Sequence, residues 1–104
     1  MNKKILIIAG DPNSINSEII CKAWKNLNKK IKTKLILIAN YNLILTQVKN
    51  LKINIKLNKL LNINTKNVSN ALNIIDFPIN FKDCFQVSKL EASKYVIGCL
   101  KLAH

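Results

Sequence analysis

The chain has 104 residues, room for one small domain, and is 49% hydrophobic and 6% aromatic, a composition that excludes intrinsic disorder. Its formal charge of +12 invites an anionic partner, but Lys, Asn and Ile number 17, 16 and 17 and Arg is absent. These three residues have AT-rich codons, so base composition accounts for the lysines. They are spread along the chain, and a reader of nucleic-acid sequence would be expected to use the planar fork of Arg; sequence-specific nucleic-acid binding is therefore not expected.

Ile5 to Ala9 is a continuous apolar run ended by Gly10-Asp11-Pro12, the pattern of a strand buried on both faces. Ile19, Ile20, Ala23, Trp24 and Leu27 follow at helical spacing. They predict a helix over Ser17–Asn28 with Asn16 as N-cap, Glu18 in the first turn, and Lys29 and Lys30 at its end. Trp24 reads as a core residue. Leu35–Ala39 is a second buried run. Strand, helix, strand at this spacing predicts adjacent parallel strands joined by a right-handed crossover, and hence an α/β fold.

Asn40-Tyr41-Asn42 reads as a turn and Leu43 to Leu51 as a short helix. Ile44, Val48 and Leu51 form its apolar face, with Gln47 and Lys49 toward water. Ile53, Ile55 and Leu57 alternate with polar residues, as in an edge strand. Asn62 to Ser69 is a polar surface loop, and Leu72 to Asp76 a strand stopped by Phe77-Pro78. Ser88-Lys89-Leu90-Glu91 has the form of a capping box. It opens a helix with Ala92, Val96, Cys99, Leu100 and Ala103 on one side. That pattern reaches the last residue without a stop signal, so the chain is expected to be a truncated portion of a longer domain.

Cys21, Cys84 and Cys99 lie far apart in apolar segments, without a Cys-x-x-Cys pair, and read as buried free thiols in a reducing compartment. The apolar run after Met1 is too short for a signal peptide, and no stretch has the length of a membrane span. A cytoplasmic location is expected. Asp11, Glu18, Asp76, Asp83 and Glu91 are the only carboxylates, and no pair has a defensible catalytic spacing. There is no Walker loop, complete Gly-x-Gly-x-x-Gly or Ser-His-Asp set. His104 reads as an ordinary helix-end residue rather than a metal ligand.

The informative segment runs from Ile7 to Ile20: strand, tight polar loop, helix start. Backbone N–H groups and a helix N-terminus there face the carboxyl end of a strand. A ligand-lining loop and a plain strand-to-helix connection are both open readings. Gly10-Asp11-Pro12, Ile15 and Glu18 resemble the opening of the 4-hydroxythreonine-4-phosphate dehydrogenases, which reads Gly-Asp/Glu-Pro-Ala-Gly-Ile-Gly-Pro-Glu. Asn13, Ser14, Asn16 and Ser17 depart from it, and the loss of two glycines removes easy routes to positive φ. The later segments resemble the family loosely, through Val87-Ser88, Glu91-Ala92-Ser93 and Leu102-Ala103.

The resemblance implies that residues 1–104 are the N-terminal portion of a dehydrogenase, part of a three-layer α/β/α domain with a mainly parallel sheet. It implies a homodimeric oxidoreductase of pyridoxal phosphate (pyridoxine) biosynthesis. Such an enzyme oxidises a small phosphorylated amino acid with NAD or NADP, after which the β-keto acid loses CO₂ with the help of a divalent metal. The family's histidine ligands lie beyond this stretch. No catalytic or metal residue is therefore expected here, no cofactor is expected to bind tightly to this chain alone, and Gly10, Asp11 and Pro12 are expected to line the cofactor cleft. The competing expectation, carried by charge, is a small basic α/β protein that binds nucleic acid or another anionic partner.

Overall fold

The computed structural model describes residues 4–62, 65, 67–68 and 70–103. The elements in chain order are β1 (Ile5–Ile8), α1 (Asn16–Lys25), α2 (Lys29–Lys32), β2 (Leu35–Ala39), α3 (Tyr41–Asn50), β3 (Leu57–Leu60), β4 (Leu72–Asp76) and α4 (Lys89–Ala103). The strands form one sheet in the order β1-β2-β4-β3, and every pairing is parallel. Ile5 pairs with Leu35, and Ile38 with Ile75. β2 is buried along its whole length, as a double-sided apolar run requires.

The passages from β1 to β2 and from β2 to β3 move the same way across the sheet. Right-handed crossovers then put α1 and α3 on one face, and the two helices touch. α4 follows β4 but packs back on β1 and β2, which takes it to the other face. A cavity lined by Leu6, Ile38 and Ile75 of the sheet and Leu102 and Ala103 of α4 marks that contact. The α/β fold with parallel β1 and β2 is as expected, in three layers.

The differences lie at element ends and have local causes. α1 stops at Lys25, where Asn26 and Leu27 donate to Ala23 and Trp24 carbonyls. Asn28 then caps a separate turn, its Oδ1 accepting from Ile31 N at 2.9 Å, so Lys29 and Lys30 begin α2 rather than end α1. Asn16 is the first residue of α1, not its N-cap; Ile15 holds that position and makes no side-chain cap bond. Asn40-Tyr41-Asn42 is not a turn but the start of α3, because Asn40 Oδ1 accepts from Leu43 N at 2.9 Å.

Lys52 closes α3 at φ 56°, with Ile53 N donating to Val48 O and Lys52 N to Lys49 O. That is a Schellman closure with lysine where glycine is usual. It turns Ile53 toward the core, so the edge strand begins at Leu57, later than the alternation implies. Ser88 Oγ accepts from Glu91 N, but the Glu91 carboxylate accepts from Asn80 N rather than completing the box. Leu100, expected on the buried side of α4, is 45% exposed, while Tyr95 is buried. Part of the expected Asn62–Ser69 loop lies outside the described residues, as does His104.

Candidate functional site

The site begins where β1 ends. Gly10 has φ 77°, and a Cβ there would stand 2.8 Å from Asn16 Nδ2. The conformation therefore favours glycine, while the exposed Asn16 amide could move aside for a Cβ. Asp11 is exposed, and its Oδ1 accepts from Asn13 N at 2.9 Å, closing an Asx turn. Ser14 N and Oγ both donate to Asp11 O, at 3.2 and 2.8 Å, and Ser14 Oγ in turn accepts from Asn16 N at 3.2 Å. Ser14 thus serves an N–H at the start of α1, the part expected of Asn16. Neither Ser14 nor Asn16 takes a positive φ, so the replaced glycines cost this loop no backbone strain.

Three distant groups hold the loop. Asn13 Nδ2 donates to Val87 O at 2.8 Å, and Val87 N donates to Asn13 Oδ1 at 2.7 Å, a two-point clip in which the side chain imitates a backbone partner. Pro12 is buried, and its carbonyl accepts from Gln47 Nε2 at 2.9 Å. The same nitrogen donates to Cys84 O at 2.7 Å. Gln47, expected to face water, is therefore wholly buried as the bridge between α3, the loop and residues 84–87. A buried amide is tolerated there because it serves carbonyls that no helix or strand satisfies. On the outer side, Asp11 borders a cleft of about 270 Å³ walled by Ala92, Ser93, Val96 and Ile97 of α4.

The carboxyl ends of β2 and β4 form a second tied centre. Asn40 N donates to the Tyr95 hydroxyl at 2.8 Å, Asn40 Nδ2 to Phe77 O at 2.9 Å, and Tyr41 N to Asp76 Oδ1 at 2.8 Å. Burial pushes the Tyr95 phenol well above its ordinary range, against the lowering effect of the Asn40 N–H. Its hydroxyl is a fixed structural acceptor. Asn40, Gln47 and Tyr95 were not singled out by sequence reading. Asn40 had a legible signal as a cap before an apolar run; Gln47 and Tyr95 had none.

The structure gathers Gly10, Asp11 and Pro12 at the carboxyl end of β1 and leaves the other carboxylates apart. Among the described residues no three His, Cys, Asp or Glu side chains are placed to share a metal, and Cys21, Cys84 and Cys99 are buried free thiols. Trp24 is in the core. No helix among the described residues is long and apolar enough to cross a membrane.

Fold and loop together define a three-layer α/β unit with an all-parallel sheet and a pinned loop at the end of its first strand. No protein-family profile matches the chain, and no curated protein is similar to it in sequence. Solved structures do match. One is assigned as a 4-hydroxythreonine-4-phosphate dehydrogenase from Salmonella typhimurium, at TM-score 0.81 and 23% identity, over 99% of this chain and 33% of that one. Another is 4-hydroxythreonine-4-phosphate dehydrogenase from Klebsiella pneumoniae, at TM-score 0.75 and 20% identity, over 97% of this chain and 31% of that one. The likeness establishes the fold. The chain spans about a third of the length of each.

Proposed function

We propose that this chain is the N-terminal portion of a 4-hydroxythreonine-4-phosphate dehydrogenase. The whole enzyme would be a cytoplasmic homodimer acting on a small phosphorylated amino acid with NAD or NADP. The observation that carries the reading is that almost the entire chain follows one third of such an enzyme's fold, with the Gly10-Asp11-Pro12 loop at the end of the first strand. Among the described residues no three His, Cys, Asp or Glu side chains are placed to share a metal, so the metal of the whole enzyme would be held by residues outside them.

Within that enzyme the chain's own part is to shape one wall of the cleft. Asp11 Oδ1 is engaged by the Asx turn. Asp11 also borders the cleft walled by α4, where its carboxylate would accept from a ligand hydroxyl. Gln47 and the Asn13 clip keep the loop from shifting when a ligand arrives.

The test has two arms. The purified 104-residue chain, given 4-phosphohydroxythreonine, NAD(P)⁺ and a divalent metal, forms no NAD(P)H. A chimera in which this chain replaces the corresponding third of the Salmonella enzyme turns over, and Asp11→Ala in it lowers kcat/KM about ten-fold with the fold retained. NAD(P)H from the chain alone would overturn the reading of it as an incomplete portion, and a folded chimera whose kinetics ignore Asp11→Ala while its stability falls would overturn the assignment of the loop.

A further inference from the structure

A second concavity lies at the other end of the sheet. Its walls come from the last turn of α1, from α2, and from the segments that lead into β3 and β4. The strands are four or five residues long, which puts about 15 Å between the two ends. The cleft therefore shares nothing with the Gly10-Asp11-Pro12 loop.

Its volume is about 570 Å³, and it is lined by Trp24, four lysines (Lys25, Lys29, Lys32 and Lys56) and two asparagines. Lys25, Lys29 and Lys32 come from one short stretch of the chain, and the fold brings Lys56 to join them. No carboxylate lines the cleft. Glu18, Asp76 and Glu91 pair with Lys22, Lys59 and Lys94. Asp11 and Asp83 are engaged by backbone N–H groups in their own turns. None of the four cleft lysines has an ion-pair partner among the described residues.

Four lysines around one concavity make a positive potential that favours an anion. One of them is already placed. Lys32 Nζ sits 4.4 Å from the centre of the Trp24 ring and donates to Lys25 O at 3.3 Å. Trp24 is only 5% exposed, and its indole N–H is buried without an acceptor in the protein. The wall of this site thus carries unpaired charge beside an indole whose N–H is left unsatisfied within the fold.

We propose that this cleft binds a small polyanion carrying at least two phosphate groups. The size is that of a small-molecule site. The alternative, a nucleic acid, is disfavoured by the surroundings: Arg is absent, and the cleft's one aromatic ring is buried and covered by Lys32, so no base can stack on it. The shared chemistry is the phosphate pair, whether as free pyrophosphate or as a nucleoside diphosphate. The inference is independent of the dehydrogenase reading.

Trp24 is the chain's only tryptophan, so its emission reports the cleft directly. Inorganic pyrophosphate is titrated at constant ionic strength, with ADP, adenosine and a ten-residue oligothymidylate in parallel. The expected result is a saturable change with a half-point below about 1 mM for pyrophosphate. Binding falls at least about ten-fold in Lys29→Gln/Lys56→Gln, and by a smaller factor in Lys25→Gln, with melting curves unchanged. Equal binding of ADP, with none of adenosine, marks the phosphate pair as the determinant; much tighter ADP marks a nucleoside diphosphate. A response that does not saturate, that sodium chloride reproduces, or that survives the lysine substitutions overturns the proposal. So does an oligonucleotide that binds more tightly than pyrophosphate at physiological salt.

Discussion

Replacing Gln47 by methionine keeps the length and bulk of the side chain and removes only its amide. In the native protein Nε2 donates to two carbonyls, Pro12 O and Cys84 O, at 2.9 and 2.7 Å, in a position with no solvent exposure. Stranding a buried acceptor costs about 1–3 kcal/mol, so two would cost roughly 2–6. The amide oxygen of Gln47 is itself buried without a partner, and its removal returns a similar amount for one group. The net is a destabilisation of about 1–3 kcal/mol, which for a domain of this size lowers Tm by about 10 °C. Urea unfolding followed by circular dichroism measures it, with Gln47→Glu as a harsher companion, since its carboxylate offers those carbonyls no donor and adds buried charge. A Gln47→Met protein within about 0.5 kcal/mol of wild type would show that the amide does not hold the loop.

Lys52→Gly should stabilise the protein by up to about 1 kcal/mol, read as a rise in Tm, because the residue at φ 56° closes α3 in a conformation that L side chains disfavour. Gly98→Ala should do the opposite of what helix propensity says. A Cβ there would fall inside the envelope of the Phe77 ring, and overpacking of about 1–3 kcal/mol exceeds the propensity gain of about 1; a thermal melt gives the sign. Burial raises the Cys21 and Cys99 thiols from 9.0 to about 11. The unfolded chain therefore loses those protons first, and stability should fall as pH rises from about 9 toward 11. Urea midpoints across that range check the slope, and a thiol reagent at pH 8 should label neither cysteine until the chain unfolds.

What could be read from sequence was what short segments determine by themselves. Leu35–Ala39 is buried throughout and pairs in parallel with both Ile5–Ala9 and Leu72–Asp76, as expected. Ile5–Ala9, read as buried on both faces, instead lies at the sheet edge, with Ile5 44% exposed and Leu6, Ile7 and Ile8 half-buried, because only one neighbouring strand covers it. Gly10 was legible because a positive φ leaves few alternatives. Gln47 was misread because its burial depends on carbonyls 35 and 37 residues away, which no local pattern reveals. Tyr95 was passed over for the same reason, since its acceptor role is set by the amide of Asn40, 55 residues earlier. The asparagines, ascribed to base composition, include several with structural work: Asn13 clips Val87, Asn73 does the same to Val68, and Asn28 and Asn40 cap helices. Codon bias explains why they are abundant, not where they stand.

The Asn13 clip also orders events in time. It joins residues 74 apart, so the loop at the start of the chain acquires its shape only after the segment around Val87 exists. At synthesis rates of about 5–20 residues per second, that is a wait of about 4–15 s. During it, β1 and α1 can form from local preference, but Asn13 and Pro12 have no partner to fasten them. Closing so long a loop late also makes this contact one of the slower to form. Amide exchange at Val87, whose N–H donates to Asn13 Oδ1, should report the lifetime of the clip, and Asn13→Ala should speed it.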